Sequence, residues 1–470
     1  MISQFCIPLV HQQLARKNFY YFLERSFSII NPGEIFSSNW HIAVMADYLS
    51  RVAQGKITRL IINVPPRSLK SICASVAFPA WLLGKNPSNK IVVASYNNHL
   101  SYKHALDSRH LILSPFYKSI FPEMLISADQ NQKYKFITSE RGSRFATSIN
   151  GTITGEGGNI LIVDDPHNAL DIYSQVKRQK VHRWFGQSFS SRLDDKKKGA
   201  IIIVMQRLHH EDLTGFILDN QPKTWHHLII PAISPEDKIY YDGGCPYYFR
   251  EGELLHQDRE GYEEIERAKS ELGSFAFTAQ YLQKPIVNGA GMIKSSWLRY
   301  FHSEPIFLSV ILSWDTAIKT AQNNSYSVCT CWGETKDSFY LLDVNRQKLE
   351  YPELKRQIIV MIEKWKPNVS LIEDKASGQT LLQDLQRETN FPFIAMKPVH
   401  DKITRFARIT PLFEAGKVFL PKYRSWCADY ESEIMLFPCS IYSDQVDSTS
   451  QYFSYIFNRN IAKPSVRSIL

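Results

Sequence analysis

The sequence predicts two α/β units in tandem, the first around a parallel-rich sheet and the second around a sheet that opens with three adjacent strands. Three observations carry this. Four short Ile/Val-rich runs in the first half, Leu60 to Val64, Ile91 to Ala94, Ile160 to Val163 and Ala200 to Met205, are separated by stretches long enough for crossover helices. After Pro305 the runs Phe307 to Trp314, Ser325 to Trp332 and Phe339 to Val344 follow in quick succession, then a helical stretch and another apolar run. The chain has 470 residues, with 44% hydrophobic and 21% charged, which suits two folded domains and excludes a disordered chain.

Taken in order, Asn39 to Gly55 has the apolar period of a helix that stops at a glycine. The four runs named above then form buried strands, giving a first domain over residues 1–221. Residues 222–291, including 240–244 and 247–249, are turn-rich and read as a connecting region, followed within it by an acidic helix from Tyr262 to Leu272. Residues 292–470 form the second domain, where the helix Pro352 to Trp365 leads to the strand Val369 to Ile372. Three strands, a helix and a further strand is the order of a ribonuclease H-like sheet.

Charge and cysteine use narrow the function classes. Fifty-five basic against 46 acidic residues leave a formal charge of +9, which suits a polyanionic partner. The seven cysteines are scattered, without metal-type spacing, and fit a reducing compartment. The first residues lack the basic and apolar segments of a signal peptide, and no stretch approaches about 18 uninterrupted apolar residues, so no membrane span is expected.

The stretch Leu60 to Ser71, LIINVPPRSLKS, runs from a strand through a turn into a helix beginning near Lys70. Such a junction presents unpaired backbone N–H groups and the positive end of a helix to a phosphate. Lys70 would neutralise phosphate oxygens, Ser71 would hold magnesium, and Arg67 would clamp the terminal phosphate. The usual glycines of such a loop would fall at Val64 and Leu69, and neither is present. By itself Lys70-Ser71 is a surface pair at a helix start; its weight comes from Asp164-Asp165-Pro166, which closes the strand at 160–163. There Asp164 would orient magnesium and Asp165 would accept a proton from an attacking water. Gln206 and Arg207, after the strand Ala200 to Met205, are placed to sense the same phosphate. His209 and His210 read as ordinary polar residues, since adjacent histidines do not easily face one ion, and Lys196-Lys197-Lys198 reads as a solvated run with a possible part in phosphate contact.

In the second half, acids close separate elements: Asp315 after Trp314, Glu373-Asp374 after Ile372, and Asp444 with Asp447 near the carboxyl end. Three acidic stations suit two hard cations, magnesium or manganese, acting on a phosphodiester. Asp444 and Asp447 are three apart and share a face if helical. Whether Glu373 or Asp374 is the primary ligand stays open.

The text around these stations, Ser313-Trp-Asp315-Thr-Ala-Ile-Lys319, Leu371-Ile-Glu373-Asp374-Lys-Ala-Ser-Gly378 and Tyr442-Ser-Asp444-Gln-Val-Asp447, together with Asn39-Trp-His41, Pro65-Pro66-Arg67, Thr152-Ile-Thr-Gly155 and Asp164-Asp165-Pro166, resembles the large terminase subunit of tailed bacteriophages and prophages. The resemblance runs over nearly the whole chain. It implies a P-loop ATPase domain, α/β with a parallel-rich sheet, followed by a ribonuclease H-like nuclease domain. ATP and Mg2+ would be held by Lys70, Ser71, Arg67 and Asp164, with Asp165 the catalytic carboxylate. Asp315, Glu373 and Asp444 match the nuclease triad, with Asp374 and Asp447 as supporting ligands and Mn2+ an alternative ion. Implied partners are double-stranded DNA, a portal protein on the procapsid, a small terminase subunit and further copies in a ring. The implied place is the bacterial host cytoplasm, transiently at the portal. Two departures stand out: Leu69 replaces the glycine before the lysine, and Ser443 stands where many relatives carry a first aspartate. The competing readings are a non-enzymatic prophage remnant and a ribonuclease H-like nuclease without motor activity.

Overall fold

In a computed structural model, residues 6–285, 291–316, 326–374, 376–422, 424–440 and 442–461 are described. The chain divides into two compact units, Met1–Ala268 with Phe275–Ile286, and Lys269–Ser274 with Val287–Leu470. No described helix is long and apolar enough to cross a membrane.

The first unit is built on eight strands: β1 (Arg59–Asn63), β2 (Lys90–Ser95), β3 (Ile126–Asn131), β4 (Lys135–Thr138), β5 (Ser143–Ser148), β6 (Ile160–Asp164), β7 (Ala200–Met205) and β8 (His226–Ile229). Their order is β3-β4-β5-β2-β6-β7-β1-β8. From β5 to β8 every pairing is parallel, while β3 and β4 add an antiparallel margin. Alternation along the strands explains why uninterrupted apolar runs are needed. Leu60, Ile62, Ile162, Ile202 and Val204 enter one apolar cluster, whereas Ile61, Leu161, Val163, Ile201 and Ile203 enter another. Both faces of the sheet are thus covered by helices.

All four expected strands are present with ends displaced by a residue or so. The helix expected from Asn39 to Gly55 runs Trp40–Ala53, its N-terminus capped by the Asn39 side chain accepting from the His41 N–H. The stretch read as connecting is more structured than its turn-rich text suggests. Its β8 adds to the first sheet with His226 opposite Leu60, and β9 (Lys238–Tyr241) pairs with β10 (Pro246–Phe249) in a hairpin. The acidic helix extends over Tyr262–Gln280 with a break at Gly273, whose φ of +74° is a glycine conformation.

The second unit carries β11 (Arg299–Phe301), β12 (Ser309–Asp315), β13 (Ser327–Glu334), β14 (Phe339–Gln347), β15 (Val369–Glu373), β16 (Phe393–Met396) and β17 (Val418–Pro421). Their order is β11-β17-β14-β13-β12-β15-β16. β12, β13 and β14 are antiparallel neighbours, and β15 and β16 continue in parallel from β12. This is the ribonuclease H-like arrangement expected from the sequence, with the helix Tyr351–Trp365 crossing from β14 to β15. The expected strand start at Ser325 and the quoted Lys319 lie outside the described residues.

Candidate functional site

The strand order places the phosphate-loop candidates opposite the first acidic pair. β1 and β6 are separated only by β7, and all three run parallel, so the loop after β1 and the carboxylates after β6 emerge at one edge. Ser71 Oγ donates to Asp164 Oδ1 at 3.0 Å, and Lys70 Nζ lies 3.1 Å from Asp165 Oδ2. Lys70 and Asp164 are buried, at 6% and 0% exposure. The helix begins at Lys70 and passes through a π-helical stretch, Ile72–Ala77.

Leu69 has φ +57° and Arg67 φ +61°. The loop therefore adopts, with ordinary residues, the left-handed conformation usually left to glycine. The Leu69 side chain packs against the apolar cluster under the sheet, which anchors it. Arg67 is exposed in the loop, and its carbonyl accepts from Arg259. Ser68 Oγ closes the turn on the Pro65 carbonyl at 2.9 Å.

Burial raises the pKa of Asp164, with Lys70, Ser71 and Arg144 opposing it. Burial likewise raises Asp165, against the attraction of Lys70. Sequence reasoning missed two residues beside this pair. His104 Nδ1 lies 3.3 Å from Asp164 Oδ2 without forming a hydrogen bond, and burial then Arg144 hold its pKa down at about 4. Arg144, on β5, is fully buried and donates from Nη2 to the Ser75 carbonyl at 2.9 Å. Nothing local in the sequence signals either, because His104 reaches the site from the helix Asn98–Leu113 and Arg144 from β5.

Gln206 meets the site through its backbone, donating N–H to Asp165 Oδ1 at 3.2 Å. Arg207 instead pairs with Asp212, its Nε 3.0 and 2.9 Å from the two carboxylate oxygens. His209, His210 and Glu211 bring ligand-type atoms within 4.8 Å of one another. Glu211 is already paired with Arg178 at 2.8 Å, and His209 Nδ1 accepts from the Glu211 N–H at 3.0 Å, so the polar reading of these histidines fits. Lys197 and Lys198 sit in an exposed turn closed on Asp195. Trp40 stacks on Tyr247 with ring centres 4.4 Å apart, and buried His41 bonds to Asn39 Oδ1 at 2.8 Å.

In the second unit, Asp315 ends β12 and Glu373 ends β15, parallel neighbours whose preceding residues Trp314 and Ile372 are in register. Asp444 opens the helix Asp444–Ile461, where a carboxylate suits the positive end of the helix. That helix is fixed against β12: Ser313 Oγ donates to the Ser448 carbonyl at 2.8 Å, Ser448 Oγ to the Ser313 carbonyl at 2.7 Å, and Gln451 Nε2 to the Trp314 carbonyl at 3.1 Å. The three stations thus lie toward one end of the sheet. Glu373 is 3% exposed, whereas Asp374 is part-exposed and accepts from Gln379 Nε2 at 2.8 Å. Asp447 is held by two cations, Arg405 at 2.7 Å and Lys402, which also donates to Ser443 Oγ at 3.0 Å.

These donor sets suit divalent cations. Serine hydroxyl beside a buried carboxylate in the first unit, and carboxylates at the ends of neighbouring strands in the second, are hard oxygen ligands. Asp164 Oδ2, buried and without a hydrogen bond, is an oxygen whose burial a cation would offset.

Residues 312–455 match the family model of the terminase RNaseH-like domain. No curated protein matches the sequence. Among solved structures, a large terminase from a thermophilic bacteriophage covers 87% of this chain and 98% of its own, at 9% identity and a TM-score of 0.52. The HK97 bacteriophage large terminase covers 86% and 90% at 13% identity and a TM-score of 0.40. The large terminase nuclease of the thermophilic phage G20c, solved with magnesium, covers 35% of this chain and 97% of its own at 12% identity and a TM-score of 0.28. The first of these likenesses spans more of the chain than either unit alone. Residues 312–455 thus match a terminase RNaseH-like domain, and the chain as a whole has the fold of a bacteriophage large terminase subunit.

Proposed function

We propose that the chain is a DNA-packaging enzyme whose first unit hydrolyses ATP to move double-stranded DNA into a procapsid and whose second unit cuts concatemeric DNA. The observation that carries this is the facing of Lys70 and Ser71 onto Asp165 and Asp164 at 3.1 and 3.0 Å, on one chain with a second carboxylate cluster. In the first unit the loop N–H groups and Lys70 hold the phosphates, and Arg67 balances charge on the terminal one. Drawing Lys70 onto phosphate frees Asp165 Oδ2, which takes the proton of the attacking water as the bond to the leaving phosphate breaks. Magnesium held by Ser71 and Asp164 would supply charge neutralisation there.

In the second unit Asp315, Glu373 and Asp444 would hold magnesium or manganese, which would supply the charge that activates water and stabilises the leaving oxygen of a phosphodiester. Asp374 supports Glu373. Work of this kind places the chain in the cytoplasm of a bacterial host and, while packaging, as a ring of copies on a portal protein with a small subunit. The test is cleavage of plasmid DNA in Mg2+ or Mn2+ by the full chain and by Asp315→Ala. We expect the wild type to cut and the variant not to; a folded wild type inert in both metals would contradict the nuclease half.

A further inference from the structure

A cavity of about 170 Å³ opens in the second unit between the end of β16 and the helix Asp444–Ile461. Its walls include Lys397, His400, Arg405, Arg408, Gln451 and Asn458, with Met396 at one side, and no acidic side chain lines it. Each station has a close neighbour in this wall. Met396 pairs with Glu373 across β15 and β16, and its carbonyl accepts from the Asp374 N–H at 2.8 Å. Gln451 donates to the carbonyl of Trp314, the residue before Asp315. Arg405 pairs with Asp447, one turn along the helix from Asp444.

The chemistry of the wall is that of an anion site. Lys397, Arg405 and Arg408 bring basic side chains to the wall, and Lys397 and Arg408 are exposed. The Arg405 side chain is 10% exposed, and its Nε is buried without a hydrogen-bond partner. One guanidinium edge is engaged by Asp447, which fixes the group in place. A volume of 170 Å³ lies below the roughly 300 Å³ at which small-molecule pockets begin, so a phosphate-sized group fits better than a whole nucleotide.

We propose that this cavity holds a backbone phosphate of the DNA strand being cut, a subsite that orients the strand over the carboxylates without reading its sequence. The proposal rests on the nuclease reading of the same unit. Asp447 then acts as a positioning residue for the basic wall, through Arg405 and Lys402, rather than as a metal ligand. The shared ligand chemistry is a phosphate group, from duplex DNA or from a free anion.

The test uses the full chain with Lys397→Ala/Arg408→Ala as a double variant and Arg408→Lys as the conservative one. Duplex binding is measured in Ca2+, cleavage in Mg2+, and unfolding midpoints check folding. We expect the double variant to bind duplex about tenfold more weakly, with KM raised and kcat little changed, and the lysine variant to recover most of the loss. The slope of log affinity against log salt should shrink by about one for each phosphate contact removed. Asp447→Asn should weaken duplex binding without moving the Mg2+ concentration for half-maximal cleavage; a large shift in that concentration would return Asp447 to the metal.

Wild-type cleavage with unchanged KM and binding in the double variant overturns the subsite and leaves the nuclease standing. Absence of cleavage by the wild type, with duplex binding still lost in the double variant, overturns the nuclease reading and keeps the phosphate site. Wild-type binding of inorganic phosphate that the double variant loses, with duplex affinity unchanged, assigns the cavity to a free anion and overturns the DNA assignment.

Discussion

At Leu69 the rule that a phosphate loop needs glycine before its lysine meets a side chain that takes the glycine conformation, with φ +57°. The left-handed conformation costs a non-glycine residue about 1 kcal/mol, and packing of the leucine on the cluster beneath the sheet offsets it. Leu69→Gly should therefore change stability by less than about 1 kcal/mol and keep ATP hydrolysis, since strain relieved and packing lost nearly cancel. Leu69→Val, whose branched side chain resists this conformation, should lower both; urea unfolding and steady-state ATPase assays check the pair. Lys70, Ser71, Asp164 and Asp165 were legible because each follows an apolar run, and local order along the chain carries that signal. His104 and Arg144 were not, because only the packed sheet brings them to Asp164.

At the scale of elements, the nuclease stations depend on how the helix Asp444–Ile461 seats on β12. Ser448 makes the reciprocal bonds to Ser313 and also meets Thr330 Oγ1 at 2.7 Å, all buried. Ser448→Val keeps the backbone carbonyl that accepts from Ser313 Oγ but takes the hydroxyl away from the Ser313 carbonyl and from Thr330 Oγ1, and we expect a loss of about 2–3 kcal/mol in the second unit with cleavage falling more than ATP turnover. Glu373 and Asp374 separate in the same way. Glu373→Ala should abolish cleavage, while Asp374→Ala, altering a part-exposed group bonded to Gln379, should cost less; the reverse order in a side-by-side assay would make Asp374 the primary ligand. Strand and acid order in this unit could be read from the sequence, as apolar runs that end in carboxylates. The segment 222–291 could not, because β8 is a four-residue edge strand, His226–Ile229, whose place is fixed by pairing with β1 rather than by its own pattern.

For the whole molecule, two units imply two separable activities, so Asp315→Ala should lose cleavage and keep ATP turnover. The first unit also carries an acid sensitivity. Burial foremost holds His41 down at about 3 and His104 and His167 at about 4, against an ordinary 6.5. His167 Nε2 accepts from the Leu213 N–H at 2.9 Å, which requires the neutral ring. Because these folded values are depressed, their contribution is present above pH 6.5 and is lost as pH falls from there toward 4. Each should cost about 1 kcal/mol between pH 7 and 5.5, seen by urea unfolding at the two pH values. Asp164 and Asp165, raised by burial, act in the opposite sense, losing stability as pH rises through their folded values. His167→Gln, which keeps an acceptor without a titrating ring, should remove one histidine's share of the slope. The +9 charge was legible at once, and duplex binding should weaken steeply with salt.

The central claim is a working nucleotide site in a loop without glycine, facing Asp164 and Asp165. Its most direct measurement is ATP hydrolysis by the purified full chain, with and without duplex DNA, beside Lys70→Ala and Asp165→Asn. We expect Mg2+-dependent hydrolysis in the wild type and a loss of at least about 100-fold in both variants, with folding intact. Hydrolysis that persists unchanged in folded Lys70→Ala would contradict the site.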